Sequence, residues 1–184
     1  MTGTMPRRHD PLTVARLALA GLALAAGAAN AQTRAHVHGQ ATLRVAVEGG
    51  TVAIEFAAPL EGLLGFERQP RTPAERAAVE ALRARFAAPG ELFRLDAPAR
   101  CTVASSSVES PLLDGKATPG EHADLQASVT FTCAEPARLR ALDVRLFADH
   151  PQLARIRVET VGTGGPARRE LRRGAATVPL GRPG

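Results

Sequence analysis

The chain has 184 residues, with 23 Lys and Arg against 18 Asp and Glu for a formal net charge of +5, and it contains neither Trp nor Tyr. At roughly 100–200 residues per domain this is one domain's worth of chain, and the missing Trp and Tyr remove the usual stacking platform for sugars or bases. The positive balance does not indicate nucleic acid, because Lys116 is the only lysine and the arginines are scattered through strand-like stretches with acids between them.

The first residues read as an address. Arg7, Arg8 and Arg16 form a basic region, residues 17–29 are an unbroken run of apolar and small side chains, and Ala29-Asn30-Ala31 has the small-x-small form of a cleavage site. Spanning a bilayer takes roughly 20 apolar residues, so the run reads as a cleaved signal peptide over 1–31 rather than an anchor. The paired Arg7-Arg8 hints at twin-arginine export, but Asp10 and Pro11 follow where that signal continues with apolar residues. The mature domain is expected at 32–184, in the periplasm. Cleavage takes three arginines and one aspartate from the chain, leaving a net charge of about +3.

Cys101 and Cys133 are the only cysteines. An even pair in an oxidising compartment reads as a disulfide, which in the chain-entropy model stabilises by roughly 3.5–4 kcal/mol for a loop of this size. The rival reading, two thiolate ligands, needs the reducing environment that export argues against.

From His36 to Glu48 apolar Val37, Ala41, Leu43, Val45 and Val47 alternate with polar side chains, the period of a half-buried strand. Gly49-Gly50 supplies a turn, and Val52, Ile54 and Phe56 return, so the spacing predicts a hairpin with Val47 facing Val52, Val45 facing Ile54 and Leu43 facing Phe56. Residues 59–67 break the alternation and read as a compact apolar connection. Thr72-Pro73-Ala74-Glu75 then forms a capping box ahead of a helix with Val79, Leu82 and Phe86 on one stripe, ended by Pro89-Gly90. A strand is expected around Ala99–Val103, and residues 105–120 lose all pattern and read as an exposed loop. Alternation returns from His122 to Cys133, then in Leu142-Val144-Leu146 and Ala154-Ile156-Val158, before an arginine-rich closing segment. The expected fold is α+β, a mainly antiparallel sheet with one covering helix, in a single domain with one disulfide.

Four side chains stand out. Residues i and i+2 of a strand share a face and lie about 6–7 Å apart, so His36 with His38 and His122 with Asp124 each present a pair of donors. Side by side, two such strands would offer Zn²⁺ three imidazole nitrogens and a carboxylate oxygen in the tetrahedral arrangement it takes. Copper(I) would call for thioether or thiolate, and both methionines lie in the leader. The plain alternative is that these are solvated surface residues, and His36 lies close to the new terminus, where fraying is common. His150, before Pro151, reads as a turn residue rather than a ligand. Glu67 and Glu121 could add an oxygen but have no spacing argument behind them. Enzyme readings fail on the residues: Ser105-Ser106-Ser107 sits in no nucleophile turn, no glycine-rich phosphate loop precedes a helix, and there is no His-Glu-x-x-His helix.

The run His36-Val37-His38-Gly39-Gln40-Ala41-x-Leu43-x-Val45-Ala46, followed by Pro59, Leu64-Gly65-Phe66-Glu67, Leu92-Phe93, Cys101, His122-Ala123-Asp124, Phe131-x-Cys133, Pro136 and Leu146-Phe147, resembles the ZrgA-like periplasmic zinc-regulated family. The resemblance implies a secreted zinc-binding protein of Gram-negative bacteria, made under zinc limitation to assist zinc acquisition, with a zinc-uptake transporter component as possible partner. It carries the family's paired histidines onto His36 and His38, and its His-x-Asp onto His122 and Asp124. Two departures reduce the number of zinc ions it could hold. Residues 112–119 contain no histidine where relatives carry a histidine- and aspartate-rich insert, and Arg68 stands where relatives often have histidine. The competing function is an envelope protein-interaction module without a metal role. Zinc binding of the expected kind should weaken below about pH 6, where imidazoles of ordinary pKa ~6.5 take up protons.

Overall fold

A computed structural model describes residues 39–118, 123–162 and 164–181. The signal peptide expected at 1–31 lies outside the described residues, as do His36, His38 and His122.

β1 (Gln40–Glu48) and β2 (Thr51–Pro59) form the expected hairpin around Gly49-Gly50, with Leu43 opposite Phe56, Val45 opposite Ile54 and Val47 opposite Val52. The alternation that reaches back to His36 is not one strand: β1 starts at Gln40, because Gly39 has a φ of 67° and turns the chain there. α1 (Leu60–Leu64) follows β2 without a break, at a place where the sequence offered only an apolar connection. It ends on Gly65, whose φ of 82° allows its N–H to reach back to the Glu61 carbonyl.

α2 (Pro73–Ala87) begins as the capping box requires. The Thr72 hydroxyl accepts from the Glu75 backbone N–H at 3.1 Å, and a Glu75 carboxylate oxygen accepts from the Thr72 N–H at 3.2 Å. Arg68 adds a two-pronged clamp on the same carboxylate, at 2.6 and 3.1 Å, and its guanidinium sits 5.4 Å from the centre of the Phe66 ring. That clamp, together with the backbone N–H of Arg71, holds the Glu75 pKa down at about 2. Arg68 thereby ties the 65–72 connection to the helix. Thr72→Ala is expected to cost about 1 kcal/mol, the usual loss for a helix cap, read as a lower urea midpoint at unchanged slope.

α3 (Pro89–Leu92) is a single turn, so Pro89 opens a second short helix as well as ending α2. β3 (Phe93–Leu95) leads to β4 (Cys101–Glu109), which extends well past the strand expected at Ala99–Val103 and takes in Ser105-Ser106-Ser107. The serines read as loop because β4 is an edge strand, exposed along most of its length and irregular between Val103 and Ser105. It is held by backbone pairing to its neighbour, and pairing of that kind leaves no hydrophobic signature. β5 (Asp124–Cys133) buries the expected set of Leu125, Ala127, Val129, Phe131 and Cys133, and Cys101 lies directly opposite Cys133 and is disulfide-bonded to it. β6 (Ala141–Val144), β7 (Arg155–Val161), β8 (Ala167–Arg172) and β9 (Thr177–Pro179) complete the chain.

The strands form a six-stranded sheet in the order β4-β5-β2-β1-β7-β8 and a three-stranded sheet in the order β3-β6-β9. Among the described residues, all pairings are antiparallel except β1 with β7. One face of the large sheet enters a core that includes Val79, Leu82 and Phe86 of α2 and the small sheet's Phe93, Leu142 and Val178. Phe56 lies 5.8 Å from Phe86 and 6.2 Å from Phe93, joining sheet, helix and small sheet at one point. The other face is exposed, and two of its arginines are matched by acids on adjacent strands: Arg44 by Glu55 at 3.4 Å and Glu159 at 3.7 Å, Arg168 by Glu159 at 3.3 Å. The fold is α+β with an antiparallel-dominated sheet, as expected, with two single-turn helices added to the one foreseen. Among the described residues, no helix is long and apolar enough to cross a membrane.

Candidate metal centre

Because β1 and β5 both run antiparallel to β2, and β7 runs parallel to β1, the three strands β1, β5 and β7 all start at the same end of the sheet. Register makes this concrete: Arg157, Thr42, Ala57 and Gln126 form one row across four strands, and two residues nearer the starts lie Arg155, Gln40, Pro59 and Asp124. In sequence, His38 is separated from β1 by Gly39 and His122 from β5 by Ala123, and His150 lies in the segment before β7. Gly39 before β1, Ala123 before β5 and the His150 loop before β7 therefore lie at one end of the sheet.

β1 and β5 are not neighbours, however. The sequence reading set the two donor pairs on adjacent strands, but β2 runs between them, which separates the strand axes by roughly 9–10 Å at ~4.8 Å per step. A shared ion has to be met beyond the ends of the strands rather than on the sheet face, and at that end β2 is continued by α1.

α1 touches all three segments. The Leu60 N–H donates to the carbonyl of Ala123, the residue after His122, at 2.9 Å. Gly62 lies beside Gly39, the residue after His38, where a Cβ on Gly62 would make ordinary van der Waals contact with the Gly39 Cα at 3.7 Å. The Leu63 carbonyl lies 2.8 Å from Nδ1 of His150. Leu60 to Leu63 is less than one helical turn, a rise of roughly 4.5 Å. Gly39 is fixed from its other side as well: its carbonyl accepts from Ala154 N–H at 2.8 Å and Arg155 N–H at 3.1 Å, and a side chain in its place would come within 2.7 Å of the Gln152 carbonyl. Glycine is required here for both its φ and its size.

Asp124 is the one expected ligand among the described residues. It is half-buried, begins β5, and borders a cleft of about 510 Å³ that Glu109, Asp114 and Lys116 also line. Three carboxylates against one ammonium make this cleft anionic in a chain of positive net charge, a local field that favours cations. No group of three or more His, Cys, Asp or Glu suited to one ion occurs among the described residues, since three of the four expected ligands lie outside them.

His150 departs from its reading as a plain turn residue. It does lie in a loop, but its ring is buried, 5 % exposed, and pinned by Leu63. The loop around it is held by the Leu153 N–H on the His150 carbonyl at 3.1 Å, by Arg173 on the Phe147, His150 and Pro151 carbonyls, and by the Arg85–Asp149 ion pair at 2.8 Å. Burial lowers the His150 pKa below the ordinary 6.5, against the smaller opposing pull of the Leu63 carbonyl. The unfolded chain then binds more protons than the folded one just below pH 6.5, so stability present above that pH is lost as pH falls through the window beneath it. Urea unfolding of the zinc-free protein from pH 7 to pH 5 is expected to show that decline, and His150→Asn should flatten it.

No curated protein matches the chain. The model of the ZrgA family zinc uptake protein matches residues 35–180, which takes in β1 to β9, Asp124 and the disulfide. The chain belongs to the ZrgA family of zinc uptake proteins.

Proposed function

We propose that the protein is a periplasmic zinc carrier that binds Zn²⁺ as cargo through His36, His38, His122 and Asp124 and hands it on to a component of a zinc-uptake transporter. The observation that carries this reading is the convergence at α1: one short helix contacts the residue after His38 and the residue after His122, although the two segments lie on either side of β2. Family membership makes zinc the expected cargo, and imidazole with carboxylate is a donor set that zinc accepts. The anionic cleft beside Asp124 supports the same reading, since it gives a cation a favourable approach from solvent.

A carrier has to release as well as bind, and neutral imidazole ligands make release sensitive to protons. Isothermal titration of the purified protein with zinc is expected to show saturable binding at pH 7.5 and markedly weaker binding at pH 5.5, below the ordinary histidine pKa of ~6.5. Absence of zinc binding at pH 7.5 refutes the reading. A partner recovered equally well by chelator-treated and zinc-loaded protein would instead favour the protein-interaction module.

A further inference from the structure

Resting on the zinc-carrier reading, we propose that Nε2 of His150 is a further zinc ligand, which makes the loop before β7 the third wall of the centre and the Leu63 carbonyl its outer support. Two independent observations carry this. The first is the state of the ring: Nδ1 lies 2.8 Å from the Leu63 carbonyl, an oxygen that can only accept, so the proton of the neutral imidazole sits on Nδ1 and the lone pair on Nε2. Nε2 is buried and has no hydrogen-bond partner among the described residues. Buried polar atoms rarely go unsatisfied, and an unprotonated ring nitrogen held by a backbone carbonyl on its far side is the arrangement in which histidines bind metal.

The second observation is position. Leu63, which holds the ring, is adjacent in α1 to Gly62, which packs on Gly39, and Gly39 is peptide-bonded to His38. From its other side Gly39 approaches the Gln152 carbonyl, two residues from His150. The ring is therefore anchored one residue along α1 from the contact that fixes the chain next to His38, and three residues from the contact that fixes Ala123 next to His122. An imidazole ligand here would give the centre four histidines, so that Asp124 is either a fifth donor or an outer partner orienting one of the rings.

His150→Asn separates ligation from support, because the asparagine amide N–H stands near the place of Nδ1–H and keeps a donor for the Leu63 carbonyl while removing Nε2. The variant is expected to bind zinc more weakly by at least the roughly 10–100-fold that losing an outer-shell partner costs. In the wild-type protein, long-range ¹H–¹⁵N correlation spectra of the imidazoles are expected to show His150 in the Nδ1–H form, with its Nε2 resonance moving when zinc is added. This second readout needs no mutation and would not respond to a purely structural histidine. A wild-type protein that binds zinc with the Nε2 resonance unmoved, or a folded His150→Asn variant of unchanged affinity, overturns the assignment of His150 and leaves the carrier reading standing. A wild-type protein that binds no zinc overturns both.

Discussion

The double substitution His38→Ala with His122→Ala is expected to abolish measurable zinc binding at neutral pH while leaving the protein folded. The two residues precede β1 and β5, strands that flank β2 on opposite sides, so no rearrangement within a single segment can replace both. Zinc needs about four donors, and the loss should exceed the roughly 10–100-fold that attends removal of an outer-shell partner alone. The fold should tolerate the change because the flanking backbone is fixed independently: Gly39 by Ala154 and Arg155, and Ala123 by Leu60. Titration calorimetry reads the affinity and far-UV circular dichroism the fold. Unchanged zinc uptake by the folded double variant refutes the ligand assignment.

Replacing both cysteines by alanine should act in the opposite way, lowering stability and sparing zinc. Cys101 and Cys133 are 32 residues apart in sequence, and opening a loop of that size removes roughly 3.5–4 kcal/mol in the chain-entropy model. The bond also clips an exposed edge strand to its neighbour β5 at one end of β4. Cys133 closes β5 at the far end from Asp124, about 30 Å away at ~3.4 Å per residue. Urea unfolding should therefore show the destabilisation, with zinc affinity of the remaining folded protein within about twofold of wild type if distant sites act independently. A stability loss under about 1 kcal/mol contradicts the loop-closure account.

What the sequence made legible, and what it hid, divides along the range of the interactions. The hairpin from Ala41 to Phe56, the register of its pairs, the capping box at Thr72 and the buried parity of Leu125 to Cys133 were all readable, because each is set by neighbours in sequence and by one face meeting one core. Ser105-Ser106-Ser107 read as loop since an edge strand exposed on both faces has no alternation to display. Leu60–Leu64 is too short to show a helical period, so the element that contacts Gly39, Ala123 and His150 was invisible. The parallel pairing of β1 with β7, and the insertion of β2 between β1 and β5, are set by the order in which distant strands join the sheet and have no local signature.

The candidate centre follows the same division. Donor types and their grouping in His36-x-His38 and His122-x-Asp124 could be read from residue chemistry. That the segments share a sheet end could not, nor could the role of Gly39, whose positive φ turns the chain before β1. His150 was the least legible, since its burial depends on a contact with Leu63, 87 residues away. Before a proline it reads as a turn, and in the fold it is a turn whose ring is held on α1.

The most direct measurement is a crystal structure of the zinc-loaded protein with the metal located by anomalous scattering at the zinc edge. The account predicts one strong peak beyond the starts of β1, β5 and β7, beside α1, within about 2.0–2.2 Å of imidazole nitrogen from both the His36–His38 and the His122 segments. A peak on the open sheet face, a peak held by one of those segments alone, or fully loaded crystals with no ordered zinc would contradict it.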